Sequence, residues 1–578
     1  MKKIRSKPYV SPLYLDLLSM IIIIGLNPIS YFICFSPNIF TSDTIAYVTM
    51  ARDFFSKGLL YLSSWGHIDN GLILPPLYPF LIACGRFFSL ETLNVAEYVS
   101  SICALMSSVL IFLYLKKMTN RIMAVLMLIL IQINYYYFLI AMRPLSEATF
   151  LMTLSCTMYF MITVINGNLE KAKKRMAFLA GLACCLVFLA RQIGIIVSLF
   201  AAIICTAQWL TVSGRERKIS NINNLFMLLG WLIVFAPYAI ILYSQTGHHP
   251  FTQGFKKYEY TVTVKDPELL KEIEENKILP VDLLKQIENA PNSDYGVIYA
   301  ERRQMRKLLP DSSEMFSYVN IGIDEEKGFL ARAISNIIDL KHYLIRLYNN
   351  IKHLSSSLGN VPMILFFLAC LSSFLIKNRK IGFPARVLLP FLIIIYLLTV
   401  SSLTDKINRY IYILFPFCLM HICIESFICF NAMMGVFKLK KYKLVLPIVI
   451  FSVILLTTPR YYTGLIVIPK AEGIESRYHY LKDYLNGAPV FSLLPYYSYI
   501  AGGTFRILPN DSLDKVASYG KKTGVQWLLI VHTKGAENEL KFYNNAKWYF
   551  DLSEKRYPNL VKFRIGTTDR LMALYEIL

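Results

Sequence analysis

The chain has 578 residues, of which 55% are hydrophobic, 14% are aromatic and 17% are charged, and its formal net charge is +22. This composition is too apolar for an ordinary soluble domain and excludes a soluble globular protein. It predicts a polytopic α-helical membrane protein.

Apolar runs long enough to cross a bilayer recur along the chain. They are residues 12–34, 94–115, 122–165, 176–212, 224–243, 360–376, 387–403, 410–432 and 444–458. At about 1.5 Å per residue and about 30 Å of hydrocarbon, runs 122–165 and 176–212 are too long for one helix and must fold back. The predicted turns are Arg143-Pro144, because proline disfavours helix in the preceding residue, and Arg191 to Gly194. Together these runs predict about eleven spans.

Basic residues predict the orientation of the chain. Clusters of Lys and Arg lie at residues 2–7, 116–121, 171–175, 215–218, 377–386 and 438–443, all on one side of the eleven-span arrangement. Because cytoplasmic loops collect Lys and Arg, we expect a cytoplasmic amino terminus and an extracytoplasmic carboxyl terminus. The high positive charge therefore reflects cytoplasmic loops, and no nucleic-acid partner is predicted.

Two segments outside the bilayer are long enough to fold in water. We predict a transmembrane domain over residues 1–458, which includes an outer loop at 35–93 and a long, mostly helical outer loop at 244–359. We predict a small α/β extracytoplasmic domain over 459–578, because Pro489 to Leu494 and Trp527 to Val531 resemble strands separated by helical patterns. None of the 11 cysteines lies in 244–359 or in 459–578, so neither of these two long segments depends on a disulfide.

The outer loop 35–93 contains the leading candidate for catalysis. Asp43 follows the first apolar run and precedes an amphipathic stretch and the turn Pro75-Pro76-Leu77-Tyr78-Pro79. Acids at a membrane edge are costly and are often functional. Capping of the following helix is an alternative for Asp43. His67 and Asp69 are further candidates in the same loop, although they could equally be solvated polar residues.

Few basic residues remain for the outer face once the cytoplasmic clusters are removed. Seven remain as candidates for binding an anion: Arg52, Lys57, Arg86, Arg143, Arg191, Lys406 and Arg409. Of these, we select Arg143, Arg191, Lys406 and Arg409 for the phosphate. Each has an alternative: Arg143 could pair with Glu147 four residues on, Arg191 could snorkel to the interface, and the last two could contact lipid headgroups. The aromatic run Tyr135 to Phe138 is expected to form an interface belt.

A site with several cations and few acids suits a lipid-phosphate substrate. A departing phosphate needs cations that stabilise its charge but no general acid, so one carboxylate can suffice as the base. The sequence has no Walker-type or dinucleotide-type glycine loop and no metal-type CxxC pair. We therefore predict no metal site and no required cofactor. The sequence gives no support for a divalent cation that assists the reaction.

At these residues the chain resembles the GT-C glycosyltransferases, the group that contains protein O-mannosyltransferases and the aminoarabinose transferases that modify lipid A. The matching pieces are Asp43 with Tyr47 and Ala51, PPLYP at 75–79, RPLSE at 143–147, GLACCLVFLAR at 181–191, Arg409-Tyr410 before Pro416, and the strand-like segments LKDYLNGAPVFSLLP and GVQWLLIVH near the carboxyl terminus. One departure is Thr44, which stands where protein mannosyltransferases usually have a second acid; it weakens the case for a protein acceptor.

The resemblance implies an inverting transfer of a sugar from a polyprenyl-phosphate donor to a lipid, glycan or protein hydroxyl. It gives Asp43 the role of base at an outer-face site. We expect this site in a bacterial plasma membrane, with Arg143, Arg191, Lys406 and Arg409 at the donor phosphate and Tyr47, His67, Asp69 and Glu147 as further site residues.

Two other functions remain open from the sequence. His421 and Glu425 lie about one helical turn apart within an apolar run and could relay protons in a lipid or polysaccharide flippase or transporter. A satisfied packing contact is the alternative for this pair. A surface-polysaccharide polymerase or ligase would share the outer-face site, but would use a dominant arginine or histidine in place of Asp43.

Overall fold

The computed structural model describes most of the apolar runs and the core of the carboxyl-terminal region. The described residues are 19–21, 24–25, 42–57, 75–88, 92–166, 170–211, 213–246, 258–264, 296–298, 317–323, 340–375, 383–403, 408–436, 445–457, 481–493, 495–508, 512–532, 548–552, 557, 559–566 and 572–578. The chain divides into two compact units, the first formed by residues 1–36, 74–253 and 329–470, and the second by residues 37–73, 254–328 and 471–578.

Helices dominate the first unit. The helices in chain order are α1 (Ser42–Lys57), α2 (Leu77–Gly85), α3 (Thr92–Met118), α4 (Arg121–Gln132), α5 (Tyr135–Met142), α6 (Ser146–Asn166), α7 (Glu170–Ala190), α8 (Ile195–Thr211), α9 (Gly214–Thr246), α10 (Leu340–Leu358), α11 (Asn360–Leu375), α12 (Phe383–Leu403), α13 (Asn408–Tyr412), α14 (Phe415–Val436), α15 (Val445–Thr457), α16 (Pro495–Ile500), α17 (Leu513–Thr523) and α18 (Trp548–Asp551). Helices α2 to α15 lie in the first unit, whereas α1 and α16 to α18 lie in the second.

The helices of the first unit are suited to a membrane. Five of the described helices are long and apolar enough to cross a bilayer, or up to seven if each of two bent helix pairs counts as one span. The bent pairs are α4 with α5, at 70°, and α10 with α11, at 113°. The protein is therefore an integral membrane protein, but the expected count of eleven spans is not confirmed.

The long apolar run 122–165 breaks twice. The expected break falls between α5 and α6, where Arg143 is extended ahead of Pro144. An unexpected break separates α4 from α5, and there the Asn134 side chain caps α5 by accepting a hydrogen bond from the Tyr136 amide at 2.9 Å. Asn134 thus satisfies an amide that the start of a helix leaves without an intrahelical partner.

The expected interface belt at Tyr135 to Phe138 is wrong for half of that run. Tyr137 and Phe138 are buried, and the Tyr137 hydroxyl donates to the Ala104 carbonyl at 2.7 Å and contacts Ser108 Oγ at 2.6 Å. A tyrosine hydroxyl inside an apolar bundle requires such partners. These aromatic residues therefore join α5 to α3 instead of marking a membrane surface.

Two glycines allow α7 and α9 to approach closely. A Cβ atom added to Gly181 would overlap the Met227 carbonyl oxygen, and one added to Gly230 would overlap the Phe178 carbonyl oxygen. Small residues at helix crossings permit such backbone contact, on which helix association in lipid depends. Gly181 begins the GLACCLVFLAR segment, so the crossing also fixes the helix that ends just before Arg191.

The second unit contains two sheets. The strands are β1 (Tyr258–Val264), β2 (Gly296–Ile298), β3 (Ser317–Ile323), β4 (Pro489–Ser492), β5 (Thr504–Ile507), β6 (Trp527–Val531), β7 (Val561–Gly566) and β8 (Met572–Ile577). β1 pairs antiparallel with β2 and β3, in the order β2-β1-β3. The expectation of a mostly helical loop at 244–359 is therefore wrong for these strands, although α10 is helical as expected.

The carboxyl-terminal sheet is mixed. Its strand order is β5-β4-β6-β8-β7; β4 pairs parallel with β5 and β6, whereas β8 pairs antiparallel with β6 and β7. The predicted strand-like runs at 489–494 and 527–531 contain β4 and β6, both of which are largely buried. Helix α16 of this region packs against α1, the helix that carries Asp43.

We predict that Gly181→Ala destabilises the membrane unit. The added methyl group meets backbone, which cannot rotate away, so α7 and α9 must separate. The thermal unfolding midpoint in detergent should fall clearly below that of the wild type. Gly25→Ala is the control, because a Cβ atom there meets nothing within 4 Å; equal midpoints for the two variants would contradict the close crossing.

Candidate functional site

Three breaks in the helical bundle converge on one cluster of side chains. The first is the Arg143 to Leu145 link between α5 and α6, the second is the 3-10 turn Gln192–Gly194 between α7 and α8, and the third is the short helix α13. Each break carries a residue predicted from the sequence. Contacts between Glu147, Arg191 and Tyr410 bring the three breaks together.

A buried ion pair lies at the centre of this cluster. Arg191 Nη1 is 2.6 Å from Glu147 Oε1, and the two side chains are 8% and 5% exposed. The same Nη1 atom is 3.5 Å from Ser146 Oγ, to which it donates. Glu147 lies in the first turn of α6, where the helix N-terminus also favours a negative charge.

The Arg191 guanidinium also stacks on an aromatic ring. Its central carbon, Cζ, lies 4.2 Å from the centroid of the Tyr410 ring in α13. A cation over an aromatic face is stabilised electrostatically, most strongly where water is excluded. Arg191 is only 7% exposed, so its guanidinium points into the bundle instead of snorkelling to an interface.

The turn that carries Arg191 requires a glycine. The backbone of Arg191 is extended, its amide donates to the Val187 carbonyl at 3.1 Å, and its carbonyl accepts from the Gly194 amide at 2.7 Å. A Cβ atom on Gly194 would overlap the Val187 carbonyl oxygen. The close return of the chain at Gly194 thus directs Arg191 toward α6 and α13.

The PPLYP and RPLSE motifs are joined by hydrogen bonds. The Tyr78 hydroxyl donates to the Ala96 carbonyl and contacts Ser100 Oγ, both at 2.9 Å. Ser100 Oγ in turn lies 3.5 Å from the Leu145 carbonyl oxygen, to which it donates. The expected turn at PPLYP is instead the start of α2, which begins at Leu77. Through Ser100 on α3, this segment is tied to Leu145, the residue between Pro144 and the start of α6.

The remaining predicted site residues are divided between the two units. Asp43 is the second residue of α1, in the second unit, and Tyr47 is a buried residue of the same helix. Arg409 lies in α13, directly before Tyr410. His67, Asp69 and Lys406 lie outside the described residues.

Sequence reasoning missed a second buried ion pair. Arg386 Nε donates to Glu425 Oε1 at 2.9 Å, and Arg386 Nη2 contacts Glu425 Oε2, to which Ser372 Oγ donates at 2.7 Å. Arg386 was expected in a cytoplasmic basic cluster, yet it is 3% exposed. Glu425 could have indicated this pair, because an acid within an apolar run needs a nearby cation. Arg386 lies at the edge of the neighbouring apolar run and could supply it.

This pairing bears on the proton-relay hypothesis for His421 and Glu425. Arg386 and Ser372 occupy both Glu425 oxygens. His421 instead lies 3.5 Å from Ser373 Oγ and packs edge-on against Phe366. The contacts favour the packing alternative for this pair. Within the described ranges, no group of three His, Cys, Asp or Glu side chains could hold a metal ion.

Comparison with known families places this cluster in context. Residues 74–241 match the family model of dolichyl-phosphate-mannose-protein mannosyltransferase. The matched segment contains the PPLYP turn, Glu147 and Arg191, which the structure links. No curated protein matches the chain in sequence.

The fold is similar to that of solved GT-C enzymes. ArnT from Cupriavidus metallidurans in the apo state superposes with a TM-score of 0.57 and 10% identity, over 98% of each chain. The same ArnT bound to undecaprenyl phosphate gives a TM-score of 0.55, with the same identity and coverage. The archaeal oligosaccharyltransferase AglB from Archaeoglobus fulgidus, in complex with an inhibitory peptide and a dolichol-phosphate, gives a TM-score of 0.50 and 11% identity over 89% of this chain and 69% of that chain. The expected resemblance to the GT-C glycosyltransferases is confirmed: the chain has their fold.

We predict that Glu425→Leu destabilises the protein by about 3 to 5 kcal/mol, because it leaves the Arg386 guanidinium buried without its anion. The double variant Arg386→Met with Glu425→Leu should recover much of this loss, since it buries no charge. Thermal unfolding in detergent of both variants and the wild type tests this expectation. A double variant that is no more stable than Glu425→Leu would contradict it.

Proposed function

We propose that the protein is an inverting glycosyltransferase that moves a sugar from a polyprenyl-phosphate donor to an acceptor hydroxyl on the outer face of the membrane. The observation that carries this proposal is the convergence of the PPLYP turn, Glu147 and Arg191 within the segment that matches the mannosyltransferase family model. A GT-C fold over nearly the whole chain supports it. The undecaprenyl phosphate and dolichol-phosphate bound to two of the similar structures suggest the donor class.

The chemistry proposed is a single displacement. The Asp43 carboxylate takes the proton of the acceptor hydroxyl, the hydroxyl oxygen attacks the anomeric carbon, and the bond from that carbon to the phosphate oxygen breaks with inversion. The polyprenyl phosphate leaves as an anion, which needs cations but no general acid. Arg143, Lys406 and Arg409 are proposed to stabilise this phosphate, and Arg191 is the fourth candidate. Tyr47, His67 and Asp69 stay candidate site residues on the sequence evidence.

The proposed setting is a bacterial plasma membrane, with a cytoplasmic amino terminus and the carboxyl-terminal region outside. The asymmetric placement of Lys and Arg supports this orientation. The acceptor belongs to a lipid, a glycan or a protein. Thr44 occupies the position of the second acid of protein mannosyltransferases and is fully buried, which favours a lipid or glycan acceptor.

We predict that Asp43→Asn lowers the rate of sugar transfer by about a hundredfold or more, because the amide cannot take the proton of the acceptor hydroxyl. The assay uses membranes that contain the variant and a radiolabelled polyprenyl-phosphate sugar. Asn keeps the size of the side chain and can still cap a helix.

The matched control for this variant is Asp43→Glu, which keeps a carboxylate and should retain part of the activity. Equal amounts of membrane-inserted protein must be verified for all three forms. Wild-type turnover by Asp43→Asn would remove Asp43 as the base.

We predict that Arg409→Ala raises the apparent KM for the donor about tenfold, with a smaller effect on the acceptor KM, because one charge-assisted contact to phosphate is lost. Initial rates at varied donor concentration measure this change. Lys174→Ala is the control, since Lys174 lies near the start of α7, at the opposite end of that helix from Arg191. An unchanged donor KM in Arg409→Ala would count against a phosphate contact.

A further inference from the structure

We propose that Arg191 and Tyr410 are positioning residues, whose stacked contact fixes α13 and so sets where Arg409 meets the donor phosphate. This inference rests on the proposed function. It assigns Arg191 a role different from that of a cation in direct contact with phosphate. It also gives Tyr410 a role that its place in the sequence does not indicate.

The charge of Arg191 is balanced within the protein. Glu147 lies 2.6 Å away, and both side chains are more than nine-tenths buried. A buried ion pair is costly to open, because breaking it exposes each charge to an apolar surrounding without its partner. A donor phosphate that bound Arg191 directly would have to compete with this carboxylate. Arg191 is thus better suited to hold a neighbouring segment than to receive a new anion.

The neighbouring segment has little stability of its own. Helix α13 has five residues, fewer than two turns, and so short a helix does not persist without packing. Its last three residues are each held by a different part of the bundle. Tyr410 stacks on Arg191, Ile411 is fully buried, and Tyr412 stacks on Tyr136 with ring centroids 4.1 Å apart. Helix α10 also packs against α13.

The contacts of Tyr410 determine the position of the preceding residue. Arg409 is bonded directly to Tyr410, so its backbone can shift only if the Tyr410 ring leaves the guanidinium or the two move together. Arg191 is in turn fixed by Glu147 on α6 and by the turn at Gly194. The planar guanidinium thus connects α6 and the α7–α8 turn to α13, a geometry that a lysine cannot reproduce.

The test compares Tyr410→Leu with Tyr410→Phe. Leucine removes the ring, and loss of a desolvated cation–π contact should raise the donor KM about tenfold, with kcat changed less. Phenylalanine keeps the ring and should restore the donor KM to within about twofold of the wild type. Rescue by phenylalanine shows that the ring face is required and that the hydroxyl is not.

The partner side of the contact is tested with Arg191→Lys, which keeps the charge beside Glu147 but loses the planar face. It should raise the donor KM as Tyr410→Leu does, and the double variant should be no worse than either single variant, because both remove the same contact. Should Tyr410→Leu fail to accumulate in membranes, Arg191→Lys measures the same loss from the other side. Melting curves in detergent should be comparable for Tyr410→Phe and the wild type, which would show that this variant is folded.

The outcomes separate this inference from the proposed function. A wild-type protein that transfers no sugar from any polyprenyl phosphate would overturn both. A wild type that transfers sugar while Tyr410→Leu keeps the wild-type donor KM would overturn only the positioning role. Additive KM effects in the double variant would also overturn it, because they would show that Arg191 acts on the donor independently of Tyr410.

Discussion

The contact between Glu147 and Arg191 is the constraint on which the candidate site depends. Both charges are buried among apolar helices, where an ionised side chain without a partner is prohibitively costly, so the two must meet wherever the chain places them. Glu147 lies in the first turn of α6 and Arg191 directly follows α7, so their contact fixes two chain breaks against each other. Tyr410 then adds the third break through its ring.

The second ion pair follows the same rule at a different place in the bundle. Arg386 belongs to α12 and Glu425 to α14, and Ser372 of α11 donates to the carboxylate. Because both pairs join separate helices, buried charge in this protein specifies which helices are neighbours, a task that apolar packing alone performs poorly in lipid.

The sequence predicts the breaks in the helices better than it predicts the contacts between them. Chain length and Pro144 indicate breaks at Arg143-Pro144 and at 191–194, and the structure has a break at each place. Sequence spacing names Glu147 and Arg191 separately but suggests Arg143 as the partner of Glu147, since only the folded bundle brings α6 and α7 together. The Asn134 break was missed because a single asparagine was not taken as a helix cap within a long apolar run. Strands β1 to β3 were missed because they lie in a polar segment with helical patterns and Pro and Asn breaks.

The hydrogen bonds from Tyr78 through Ser100 to Leu145 limit which segments can replace residues 35–93. The start of α2 and the link that carries Arg143 share one hydroxyl on α3. A loop grafted from a relative in place of residues 35–93 would therefore place a different residue opposite the Ser100 hydroxyl. A graft that keeps a tyrosine at position 78, opposite an intact Ser100, would keep the hydrogen bond to that hydroxyl.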